Sequence, residues 1–81
     1  MPKTKKLTPG QRLYGAIETF CDLSGYTVAD VCREATDDNG NPTARSVVTR
    51  WQLGQTNPTM VLADRVRAAM ERLKERALAA S

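Results

Sequence analysis

Four polar side chains between residues 43 and 54 have the chemistry to contact a nucleic acid. They fall on one side of a predicted helix and are Arg45, Ser46, Thr49 and Arg50. A guanidinium group binds phosphate oxygens or the two acceptor atoms of a guanine edge, and a hydroxyl group hydrogen-bonds to either. This pattern predicts a helix surface that contacts phosphates and base edges.

The same side chains also fit a surface that binds no ligand. The two arginines could be ordinary solvated charges, or they could pair with the acidic residues of the loop that precedes them. Thr49 could be a neutral surface position. The residue types alone leave both interpretations open.

The helix that carries these side chains is short, with a start signal and a stop signal. Thr43 is the predicted N-cap, because a threonine hydroxyl accepts a hydrogen bond from a backbone N–H at a helix start. Gly54 is the predicted end, because glycine readily adopts the left-handed conformation there. The helix is therefore predicted over residues 43–53, and its buried face consists of Ala44, Val47, Val48 and Trp51. A helix of this length is not stable alone and needs support from other elements.

The composition offers little for catalysis or metal binding. The 81 residues include no histidine, which removes the commonest general base and metal ligand. Cys21 and Cys32 are too few for a disulfide framework or a tetrahedral zinc site, and both fall on predicted apolar helix faces. We expect two buried thiols, no metal, no cofactor and no enzymatic activity.

Positive charge is unevenly distributed along the chain. The formal net charge is +3, yet residues 13–42 are acidic and the predicted helix at 43–53 carries only positive charge. Such asymmetry suits a polyanionic partner on one face. Residues 1–7 form a predicted basic arm, for which a solvated terminus is the alternative. Its predicted contacts to the DNA backbone come from Lys3, Lys5 and Lys6.

Two further helices are predicted before residue 36. Thr8 begins the first with a T-x-x-Q capping box, and Gly25 ends it. Thr27 caps the second, which runs to Ala35. The TDDNGNP segment that follows is rich in turn-forming residues and separates this helix from the one at 43–53.

A last helix is predicted after Thr59, and it runs past about 20 residues without a breaker. With no strand pattern in the sequence, the expected fold class is all-α: a small domain of four or five helices over residues 8–81 with a long C-terminal helix. The end of this helix is longer than the domain needs and is a candidate dimer element. Its predicted interface residues are Met70, Leu73, Ala77 and Leu78.

Two segments resemble the Cro and lambda-repressor family of helix-turn-helix regulators from phages and mobile elements. YTVADVCREA resembles the first helix of the motif, with Ala29 at its small position. ARSVVTRWQLG and the TNPT after it resemble the recognition helix and its exit, with Gly54 and Pro58 at the family's glycine and proline. The segment between them, residues 36–43, is longer than the family's turn.

The resemblance implies that a homodimer binds double-stranded DNA sequence-specifically and regulates transcription, with repression as the leading expectation. It implies base contacts from the four polar residues of the helix at 43–53. It also implies contacts to the DNA backbone from Thr27, Thr43, Gln55, Thr56 and Asn57.

The alternative function is an antitoxin-like or anti-activator protein that binds a protein partner through its C-terminal helix. No apolar run approaches the length of a membrane span, and no signal-peptide core follows the basic N-terminus. We therefore expect a cytoplasmic protein.

Overall fold

The computed structural model describes residues 7–80, which contain four helices. They are α1 (Pro9–Ser24), α2 (Val28–Glu34), α3 (Arg45–Gln52) and α4 (Met60–Ala80). No strand is present within residues 7–80, so the predicted all-α class with a long last helix is confirmed. Lys3, Lys5 and Lys6, and with them the predicted contacts of the basic arm, lie outside the described residues.

The first two helices begin with the predicted side-chain caps. The Thr8 hydroxyl accepts a hydrogen bond from the Gln11 N–H at 3.1 Å, and the Gln11 side chain accepts one from the Thr8 N–H at 3.0 Å. Thr27 and Asp30 form a second capping box at the start of α2. Donation from the backbone N–H of Thr27 is the main reason why the pKa of Asp30 is lowered. Gly25 ends α1 with a φ of 83°, as predicted.

The hydrophobic core lies where the four helices meet. α1 packs against α3 and α4, and α2 packs against α4. The largest fully buried side chains come from all four helices: Ile17, Val31, Val48, Trp51 and Val66. Cys32 is buried as predicted, whereas Cys21 is half-buried. Burial raises the pKa of both thiols, so both are protonated at neutral pH.

The long segment between α2 and α3 folds into an ordered loop. A bridge between Thr36 and Pro42 closes it, and Gly40 turns it with a φ of 83°. The Asp37 carboxylate accepts hydrogen bonds from the backbone N–H groups of Asn39 and Asn41, each at 2.9 Å. The bond from Asn41 is the main cause of the lowered pKa of Asp37. The extra residues are therefore held within the loop, and α2 does not continue through them.

The predicted N-cap of α3 is wrong. The cap residue is Ala44, which makes no side-chain cap bond, and the helix begins at Arg45. Thr43 is held by α2 instead, because its hydroxyl donates to the Ala35 carbonyl at 2.7 Å and its N–H donates to the Cys32 carbonyl at 3.0 Å. As a cap residue, Ala44 is also exposed and does not belong to the buried face, contrary to the prediction.

The long last helix is tied to the core and to α2. The Thr59 hydroxyl caps its start by accepting a hydrogen bond from the Leu62 N–H at 3.1 Å, as predicted. Arg72 and Arg76 both donate to the Glu34 carboxylate, at 3.1 and 2.8 Å. Among the helices that the structure describes, none is long and apolar enough to cross a membrane.

The predicted dimer residues of α4 divide into two groups. Leu73 has only 4% of its surface exposed and lies in the core of its own chain, so it has almost no surface to offer a partner and the interface prediction is wrong there. Met70 and Ala77 are half-buried at the surface, and Leu78 is 67% exposed. For these three residues, a dimer interface stays a prediction.

Candidate nucleic-acid interface

Two buried side chains fix the rotation of α3. Val48 and Trp51 each have 1% of their surface exposed, and both lie in the core. Val47, which is half-buried, packs beside them. Because these residues occupy one side of a helix with 3.6 residues per turn, the opposite side must face solvent.

Backbone hydrogen bonds cap the C-terminal end of α3. The Gly54 N–H donates to the Trp51 carbonyl at 3.1 Å, and the Gln55 N–H donates to the Arg50 carbonyl at 2.9 Å. These two bonds, with Gly54 at a φ of 76°, form a Schellman motif. The predicted stop signal is confirmed, and it sets the direction in which residues 55–57 leave the helix.

The residues predicted to contact bases share the solvent-facing side of α3. The structure brings together and exposes all of them: Arg45, Ser46, Thr49 and Arg50. The Thr49 hydroxyl donates to the Arg45 carbonyl at 3.0 Å, which uses its proton and leaves its oxygen as an acceptor. α3 therefore exposes two guanidinium groups and two hydroxyl groups over six successive positions.

The acidic loop does not neutralise the two arginines of α3. Asp38 pairs with Arg65 of α4 at 3.1 Å, and Asp37 is occupied by backbone N–H groups of its own loop. Within residues 7–80, neither Arg45 nor Arg50 forms an ion pair. Both guanidinium groups are therefore available to an external anion.

The residues predicted to contact the DNA backbone differ in how their side chains are used. Gln55 and Thr56 are exposed, and no hydrogen bond of their side chains lies within the described part of the chain. The Asn57 side-chain carbonyl oxygen accepts a hydrogen bond from the Gly10 N–H at 3.2 Å. Thr27 is exposed but its hydroxyl is shared with Asp30, and the hydroxyl of half-buried Thr43 is donated to α2.

The sequence did not predict that the loop after α3, residues 55–57 (the exit loop), packs closely against the start of α1. A Cβ atom added to Gly10 would lie 2.7 Å from the Thr56 carbonyl oxygen and 3.0 Å from the Trp51 Cβ atom. Only glycine allows this approach, and the contact aligns residues 55–57 beside the start of α1. In the sequence, the predicted basic arm precedes α1 and Gly10. No spacing signal marked Gly10, because its neighbours are more than 40 positions away in the sequence.

The comparisons with known proteins returned nothing: no family model, no curated protein and no solved structure matches the chain. Function is therefore inferred from the residues and geometry described above.

Proposed function

We propose that this protein is a sequence-specific double-stranded DNA-binding regulator of transcription, with α3 as its recognition helix and repression as its mode of action. The observation that carries the proposal is the solvent-facing side of α3. Its two arginines have no acidic partner among the described residues, and two hydroxyl groups lie between and beside them. Arginine is the most frequent reader of guanine in the major groove.

The dimensions of α3 suit such a contact. An α-helix with its side chains is about 10–12 Å in diameter and the major groove of B-DNA is about 12 Å wide, so the eight-residue helix Arg45–Gln52 fits into it. α2 precedes α3 in the order of a helix-turn-helix, and the loop after α3 supplies the uncommitted polar side chains of Gln55 and Thr56 for phosphates. The basic arm adds three lysines that the sequence places next to α1. The proposal places the protein in the cytoplasm, as the sequence predicts.

One copy reads only a short site, so the proposal includes a dimer. The positions from Arg45 to Arg50 span about 7.5 Å along the helix axis, which is roughly two base-pair steps. Two copies on a two-fold DNA site double the number of specific contacts, with half-sites about one helical turn apart. The expected binding site is therefore a palindrome.

The test is a selection of bound duplexes from a random pool, followed by anisotropy titrations with the selected sequence. We expect an enriched palindrome and an affinity that falls steeply with salt, because phosphate contacts release counterions. The variant R45A/R50A should lose the preference for the selected duplex over an unrelated one. The absence of an enriched sequence, or equal binding by the wild type and this double variant, would refute the proposal.

A further inference from the structure

An open, largely apolar groove lies between α1 and α4, on the side of α1 away from the exit loop. Its volume is about 740 Å³. Apolar side chains of both helices line it: Ala16, Phe20 and Leu23 from α1, and Met70, Ala77 and Leu78 from α4. Contiguous apolar surface of this kind is a candidate interaction site.

Two leucines project from this groove into solvent. Leu23 is 85% exposed and Leu78 is 67% exposed, although most other large apolar side chains of α1 and α4 pack against the core. Phe20, whose ring stacks on Tyr26 with centroids 6.1 Å apart, forms a fixed wall beside them. The same patch thus has a concave part and projecting apolar groups.

We infer that the groove binds a second copy of this chain, with the two α4 helices antiparallel across a two-fold axis. This inference deepens the proposed function and rests on it, because it names the surface that joins the two DNA-binding copies. In a two-fold interface the same patch of each copy contacts the other. The patch therefore needs both a concave region and a projecting side chain that fits into the concave region of the partner copy. The α1–α4 groove and its exposed leucines meet that requirement.

The charges along α4 argue for the antiparallel arrangement. Arg67, Glu71 and Lys74 line the groove and recur on one side of α4, with alternating sign. In a parallel pair each of them would face its own counterpart, and like charges would repel. In an antiparallel pair centred between residues 72 and 73, Glu71 of each copy faces Lys74 of the other, which gives two opposite-charge contacts related by the axis.

The test uses two charge-reversal variants, E71K and K74E, in sedimentation equilibrium without DNA. We expect the wild type to dimerise. Each variant alone should self-associate about tenfold or more weakly, because it brings like charges together at both contacts. An equimolar mixture of the two should restore a dimer, since every introduced charge then meets its opposite on the other chain. Glu18→Lys, an exposed position on the side of α1 opposite the groove, is the matched control and should dimerise like the wild type.

A second pair of variants tests the part played by α1. Leu23→Asp should weaken the dimer by about tenfold or more, whereas Leu53→Asp, at an exposed leucine after α3, should not. A monomeric wild type, or variants whose mixture associates no better than each alone, would overturn the inference. Sedimentation is run without DNA, so it is read separately from the selection of bound duplexes. A wild type that is monomeric in sedimentation but still selects a palindrome would contradict this inference alone, because the two copies would then meet only on DNA. A dimer without DNA preference would contradict the proposed function alone.

Discussion

Arg50 and Arg76 are both exposed arginines, but their surroundings give them different roles. Arg76 donates to the Glu34 carboxylate at 2.8 Å and joins α4 to α2. Arg50 lies on the last turn of α3 and forms no ion pair with the part of the chain that the structure describes. The sequence could predict the face on which Arg50 lies from its spacing to Val48 and Trp51. It could not predict which arginines are neutralised, because Arg76 meets an acid 42 positions away.

Replacing Arg50 should therefore weaken specific DNA binding more than replacing Arg76. Arg50→Ala removes a candidate bidentate contact to guanine, and we expect the selected duplex to bind more weakly by about 1–3 kcal/mol, or roughly 5- to 150-fold. Arg76→Ala removes the same charge at a site already paired within the chain. Anisotropy titration at one salt concentration measures both. Equal effects of the two substitutions would mean that α3 contributes only general charge.

At the scale of the elements, local signals predicted the helices well and distant contacts explain the errors. The capping box of α1, the Thr27 cap of α2 and the glycine ends of α1 and α3 were predicted, since each depends on residues within a few positions. Thr43 has the side chain of a good N-cap, but its hydroxyl is directed to α2 and donates a hydrogen bond to the Ala35 carbonyl. Leu73 fits the apolar spacing of α4, yet spacing alone cannot separate a core position from a dimer position. The groove on α1 and α4 likewise depends on how two helices pack.

The two glycines inside α1 offer a matched test of its packing. Gly15→Ala should raise the free energy of unfolding by about 0.5–1 kcal/mol, because an added Cβ meets nothing within 4 Å and alanine favours the helix. Gly10→Ala should lower it by about 1–3 kcal/mol, since the added Cβ would overlap the Thr56 carbonyl oxygen at 2.7 Å. Thermal unfolding should show shifts of several degrees in opposite directions. A Gly10→Ala variant that is more stable than the wild type would contradict the close packing of the exit loop against α1.

At the scale of the whole molecule, two acids of the acidic stretch at 13–42 pair with arginines of α4. Glu34 pairs with Arg72 and Arg76, and Asp38 pairs with Arg65. These ion pairs lie at the surface and add little stability, but their two carboxylates offset part of the charge of the three arginines on this side of α4. Uncompensated positive charge is left on α3 and, by sequence, on the arm that joins the start of α1. Because Gly10 contacts the loop after α3, the start of α1 lies beside that loop.

This distribution predicts how the arm affects the salt dependence of DNA binding. Replacing Lys3, Lys5 and Lys6 together with alanine should reduce the slope of log affinity against log salt by up to about 2.7, because each phosphate that a lysine neutralises contributes about 0.9 to that slope. The preference between selected and unrelated duplexes should persist, because phosphate contacts do not read sequence. Titrations from about 50 to about 200 mM salt would measure both quantities. An unchanged slope would identify residues 1–7 as a solvated terminus and leave recognition to α3 and its exit loop.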